Sequence, residues 1–253
     1  MVGGIRGFRD WFSGYENQYV IIGGTACDLV LSDEGMNFRA TKDIDMVLIV
    51  EAITPEFCHR FWKYVEEAGY EHRNRSTGNC QFYRFSHPSS EDWPFMIELF
   101  SRKPDGLILP DDAVLTPLSV SEEVSSLSAI LLDDDYYEFM RSGIRLSSER
   151  IPVLGPAFLI PFKVKAWLDL SSIKASGEHV DSRDIRKHKN DVFRLSVLLD
   201  RNEHVYCPTE VFADMTKFIE LMRDEDIDLR ALGIRSIRKD DIISMFSTVY
   251  IEK

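Results

Sequence analysis

The chain opens with scattered apolar residues, then a short aromatic and β-branched run, Tyr19–Ile22, that stops abruptly at Gly23-Gly24. Such a run, followed by the glycine pair and the small residues Thr25-Ala26, predicts a strand feeding through a tight turn into a helix. Ile44–Val50 is nearly all apolar, the pattern of a buried sheet strand. Thr54-Pro55 reads as an N-cap followed by proline at the first helical position. The helix begun there sets Phe57, Phe61, Val65 and Ala68 on one face, and Gly69 ends it. Gln81–Phe85 and Phe95–Phe100 predict two further strands, joined through the polar turn His87–Asp92. Helix, strand, helix, strand, helix, strand, strand is the order of an α/β or α+β sheet domain.

Past the proline-, aspartate- and glycine-rich stretch Lys103–Pro117, the pattern changes. Ser128–Leu132 and Arg150–Val153 read as edge strands around a helix at Tyr136–Met140. From Pro156 onward the periodicity is helical: Pro161–Leu170, Asp184–Leu199, Pro208–Arg223 and Asp240–Ile251. The expectation is a mixed-sheet domain over residues 1–130, followed by a mainly helical C-terminal region over 131–253.

Composition narrows the class. At 253 residues and 44% hydrophobic, the chain can bury a sizeable core. No apolar run approaches the roughly 20 residues of a membrane helix. The N-terminus, with Arg6, Arg9 and Asp10, lacks the apolar stretch of a secretory signal. A cytoplasmic protein with no membrane partner is expected. The four cysteines (Cys27, Cys58, Cys80, Cys207) form no C-x-x-C pair and read as reduced core thiols rather than zinc ligands or a disulfide framework. The histidines make no H-x-x-H pattern, which disfavours a zinc hydrolase.

A net charge of −12 makes the chain a poor non-specific binder of nucleic acid. The local exception is Arg183, Arg186, Lys187, Lys189 and Arg194, which read either as a solvated helix face or as a polynucleotide contact. Asp133-Asp134-Asp135 reads as the acidic start of a helix, complementing its dipole.

The chemistry concentrates at Asp43-Ile44-Asp45. In a strand, residues i and i+2 point to the same side, so two carboxylates stand together and repel. Either Asp43 caps the turn and Asp45 faces solvent, or a divalent cation offsets the repulsion. Glu98, inside the apolar run Phe95–Phe100, is expensive to bury unless paired or metal-bound. On a neighbouring strand it would complete a three-carboxylate site for Mg²⁺ or Mn²⁺, the arrangement that serves in-line phosphoryl displacement. Gly23-Gly24-Thr25 would present backbone amides, and the Thr25 hydroxyl, to a phosphate. It is not a P-loop, because no Lys-Ser/Thr follows the glycines.

Together, Ile21-Ile22-Gly23-Gly24-Thr25-Ala26, Arg39-Ala40-Thr41-Lys42-Asp43-Ile44-Asp45 and Ile97-Glu98-Leu99 resemble the minimal nucleotidyltransferase superfamily, and within it the AbiEii/AbiGii toxin-type nucleotidyltransferases. Phe162-Lys163-Val164-Lys165-Ala166 and Lys187-His188-Lys189-Asn190-Asp191-Val192 resemble that family's lysine and basic-aspartate segments. Seventeen residues (26–42) separate Thr25 from Asp43, longer than the family's spacing, and the third carboxylate is a glutamate. The resemblance implies a DNA polymerase β-like fold. It also implies an NTP substrate, metal on Asp43, Asp45 and Glu98, Glu98 as general base, Lys165 on the triphosphate and Asp191 at the site's rim. It implies an RNA acceptor such as a transfer RNA end, and an antitoxin protein as partner. A small-molecule acceptor, as in antibiotic nucleotidyltransferases, and a nucleotide-binding module without turnover are the competing expectations.

Overall fold

The computed structural model describes residues 2–72, 83–103, 115–117 and 128–253, with only the backbone described for 115–117 and 128–131. The first elements are α1 (Ile5–Trp11), β1 (Tyr19–Ile22), α2 (Gly23–Asp33), β2 (Asp43–Leu48), α3 (Pro55–Ala68), β3 (Arg84–Ser86) and β4 (Met96–Ser101). Then come β5 (Leu115–Pro117), β6 (Ser128–Leu131), α4 (Asp134–Ser142), β7 (Ile144–Leu146) and β8 (Pro152–Leu154). The chain ends with α5 (Pro156–Ala175), α6 (Ser182–Ser196), β9 (Val205–Cys207), α7 (Thr209–Asp224), α8 (Lys239–Val249) and β10 (Tyr250–Glu252). The class is mixed α/β with a helical C-terminal part. No helix among the described residues is long and apolar enough to cross a membrane.

Two compact units emerge: Met1–Tyr137 with Ile144–Leu154, and Glu138–Gly143 with Gly155–Lys253. Instead of changing once at residue 130, the chain therefore returns to the first unit for β7 and β8. The reason is the edge that β1 leaves open on the side away from β2. The fully apolar β8 pairs there in parallel, Val153 opposite Ile21, and all three of its residues are buried.

In the first unit eight strands form one sheet in the order β5–β6–β4–β2–β1–β8–β7, with β3 on β4 off this path. β1 and β2 are antiparallel, while β2, β4 and β6 run parallel to one another. One face carries an aromatic core, in which Phe8 and Phe12 lie 4.7 Å apart and meet Tyr19, Phe57, Phe61 and Tyr64. α3 starts and stops as its sequence dictates. The Thr54 Oγ1 accepts from Phe57 N–H, Pro55 follows it, and Gly69 at φ 66° takes the left-handed cap.

In the second unit α5 packs on α6 and on α7, and β9 and β10 make a separate two-stranded parallel sheet. The terminal helix expected over Asp240–Ile251 thus ends at Val249, and Tyr250–Glu252 turn into a strand along Val205–Cys207. α5 begins at Pro156, one turn before the expected Pro161, which lies inside the helix. Pro161 has no N–H for the Ala157 carbonyl one turn back, and the buried Tyr250 hydroxyl donates to that oxygen at 2.8 Å.

Asp133 Oδ1 accepts from the Asp135 and Tyr136 amides, so the acidic triplet caps α4. Cys27, Cys58 and Cys207 are buried and not in disulfides, and Cys80 lies outside the described residues.

Candidate active site

The register of β2 on β4 sets the site. Asp43 stands opposite Met96, Ile44 opposite Ile97 and Asp45 opposite Glu98. Paired residues share a face and successive residues alternate between faces. Ile44, Ile97 and Phe85 are fully buried, with Phe85 5.2 Å from the Phe61 ring of α3. Asp43, Asp45 and Glu98 consequently project from the opposite face. The row extends both ways, with Ile22 opposite Asp45 and Arg84 opposite Glu98. Two carboxylates on strands about 4.8 Å apart repel by on the order of 1–3 kcal/mol when half-buried. Arg84 offsets that cost for Glu98, its Nε donating to Oε1 at 2.5 Å.

At the other end of the row the chain turns from β1 into α2. Gly23 has φ +70°, and a Cβ there would fall 1.7 Å from Asp45 Oδ2. Only glycine fits, and its bareness lets the carboxylate lie against the turn. A Cβ on Gly24 would meet Thr41 Oγ1 at 2.8 Å and Arg39 Nη2 at 3.5 Å. The segment that follows α2 therefore returns across the helix's own first turn, which accounts for the long Thr25–Asp43 spacing: residues 26–33 finish the helix and residues 34–42 make the return. Arg39 and Thr41 thus belong to the site as well as to the motif, and their position just before the D-x-D pair is the sequence signal for it.

Thr25 does not offer its hydroxyl to a ligand. The group is buried and donates to the Asp43 main-chain carbonyl at 2.5 Å, tying the start of α2 to the start of β2. The residue at the N-cap of α2, Ile22, has no side chain able to cap the helix.

Among the described residues, no three His, Cys, Asp or Glu side chains gather closely enough to hold a metal ion. The strand register nevertheless aligns all three carboxylates on one face, and Glu98 gives its Oε1 to Arg84.

Lys165 and Asp191 belong to the second unit. Asp191 is fully buried, as its position beside Val192 indicates, and faces Lys163 Nζ at 3.9 Å and Arg194 Nη1 at 3.3 Å. Lys163 is thus the buried lysine of α5's Lys163/Lys165 pair, 5% exposed. Lys165 is 35% exposed and bonds Asp169 at 3.0 Å, with Asp214 at 4.0 Å. Burial works to lower its pKa, and Asp169, then Asp214 and Glu210, together outweigh it and raise the ammonium above the ordinary lysine value.

No protein-family model matches the sequence, and no curated protein matches it. Among solved structures, the chain is similar to the solution structure of the antibiotic-resistance factor ANT(2'')-Ia, with 12% sequence identity and a TM-score of 0.37 over 77% of this chain and 88% of that one. A likeness of that extent assigns neither residues nor activity to this chain.

Proposed function

We propose that this chain is a metal-dependent nucleotidyltransferase, moving the nucleoside monophosphate of an NTP to an acceptor hydroxyl and releasing pyrophosphate. The observation that supports it best is the Asp45–Glu98 pairing across parallel strands, with Asp43 two residues before and the Gly23 turn against the Asp45 carboxylate. The donor set suits a hard cation: carboxylate oxygens on one face, beside a turn that a Cβ would fill. Asp43 and Asp45 would hold Mg²⁺ or Mn²⁺, with Glu98 as the third ligand. When bound, the ion supplies neutralisation of phosphate charge.

The chain's own groups do the rest. The first amides of α2 and the nearby Arg39 receive the phosphates. The acceptor oxygen bonds to the α-phosphorus as the bond to pyrophosphate breaks, and Glu98 takes the hydroxyl proton.

A small hydroxyl compound is favoured over RNA as acceptor. Four of the five basic residues in the Arg183–Arg194 segment are already ion-paired: Arg183 with Asp181, Lys187 with Asp184, Lys189 with Glu225 and Arg194 with Asp191. With a net charge of −12, little remains to neutralise an RNA backbone.

A thermal-shift matrix of each NTP with and without Mg²⁺ or Mn²⁺ tests this. A ligand at about 100 times its Kd adds about 2.7 kcal/mol, or roughly 5–10 °C for a chain of this size. The shift should require metal and nucleotide together and vanish in Asp45→Asn. No metal-dependent response to any nucleotide would overturn the proposal.

A further inference from the structure

Glu98 stands between two neighbours of opposite charge. Asp45 is its register partner on β2, and Arg84 its partner on β3. Arg84 holds one carboxylate oxygen, Oε1, and its positive charge disfavours a cation on the same group. A divalent cation shared with Asp45 and a guanidinium in contact with the same oxygen repel each other. The two partners of the ion pair also differ in freedom. Glu98 is held on a central strand with 14% of its side chain exposed, whereas Arg84 is 45% exposed on a three-residue strand. The arginine is the partner that can leave. Its planar fork binds carboxylate and phosphate by the same geometry.

We infer that Arg84 is the resting counter-ion of Glu98 and passes to a nucleotide phosphate on substrate binding, releasing Glu98 to the cation; this rests on the nucleotidyltransferase function proposed above. Arg84 thereby couples two bindings. Without nucleotide it suppresses metal binding, and with nucleotide it contributes to phosphate recognition. Such coupling is reciprocal, so metal should raise nucleotide affinity by the factor with which nucleotide raises metal affinity.

The experiment is an Mn²⁺ titration followed by electron paramagnetic resonance, with and without a non-hydrolysable NTP analogue. The proteins are wild type, Arg84→Ala, Arg84→Lys and the double variant Arg84→Ala/Glu98→Gln. Without nucleotide, Arg84→Ala should bind Mn²⁺ about two- to fivefold more tightly than wild type, the upper part of the range expected for losing a partly exposed ion pair. Arg84→Lys keeps the charge and should stay within about twofold of wild type, and the double variant should lose the gain. With the analogue present, wild type should equal or exceed Arg84→Ala. Arg84→Gln replaces the alanine variant if circular dichroism shows the latter unfolded. Equal or weaker Mn²⁺ binding by the neutral variant, with wild type binding Mn²⁺ normally, overturns the role of Arg84 alone. No Mn²⁺ binding by any protein, even with nucleotide, overturns the nucleotidyltransferase function and this role with it.

Discussion

Asp45 Oδ2 occupies the space that a side chain on Gly23 would need, 1.7 Å from the position of its Cβ. Gly23→Ala must therefore move the carboxylate, and it also strains a backbone held at φ +70°. A cost of about 1–3 kcal/mol is expected. Urea denaturation would measure it, and Mn²⁺ affinity in the same variant should fall by more than that of a surface control such as Gly177→Ala.

The two lysines of α5 should separate cleanly. Lys163→Met takes one cation from the buried Asp191, which keeps its pair with Arg194, and should cost about 3 kcal/mol. Lys165→Met removes an exposed pair with Asp169 and should cost no more than about 1 kcal/mol. Chemical denaturation midpoints decide it, and equal losses would contradict the burial difference.

Tyr250→Phe orphans the Ala157 carbonyl that Pro161 cannot serve, at an expected cost of about 1–3 kcal/mol. In a Pro161→Ala background the helix supplies its own N–H to that oxygen, and the same change should cost about 1 kcal/mol less. A double-mutant cycle on unfolding free energies reads the difference directly.

Alkaline pH should destabilise the fold through its thiols. Burial pushes Cys58 up to about 11 and Cys207 up to about 12, from an ordinary value of 9.0. Their contribution is fully present below pH 9. As pH rises towards 11, the unfolded thiols ionise first, the native state holds the extra protons, and stability falls by about 1.4 kcal/mol per pH unit per thiol. The buried Tyr19, Tyr64 and Tyr70 hydroxyls, also raised by burial, add in the same direction above pH 10. Stability measured at pH 8, 9 and 10 should decline, and Cys58→Ala should flatten the slope.

The first sheet was legible because its signals are local: Tyr19–Ile22 ends at glycine, Thr54-Pro55 starts α3 and Gly69 ends it. The D-x-D pair and Glu98 were legible as candidates, since a carboxylate in an apolar strand announces its cost. What the sequence concealed depends on distant partners. β7 is three residues long, too short to show a period, and β8, expected near Arg150–Val153 as an edge strand, lies inside the sheet between β1 and β7. Tyr250–Glu252 leave the helix pattern only because Val205–Cys207 lie alongside. Lys163 and Lys165 sit two positions apart between apolar neighbours, so the pattern alone does not distinguish the buried one. The acceptor of the Thr25 hydroxyl, the Asp43 carbonyl, is eighteen residues away in the chain, so the local sequence points to a phosphate instead. Arg84 and Glu98 meet through a strand pairing that no spacing rule discloses.

The central claim is tested most directly by transfer of label from α-³²P NTPs, with Mg²⁺ or Mn²⁺, to a panel of small hydroxyl compounds and to bulk transfer RNA. Wild type should release pyrophosphate and label one acceptor class, preferentially the small compounds, while Asp45→Asn and Glu98→Gln fold normally and lose at least about a hundredfold in rate. Labelling of RNA alone would correct the acceptor and leave the reaction intact. Metal-dependent nucleotide binding with no transfer to any acceptor, or equal transfer by the carboxylate variants, would contradict the account.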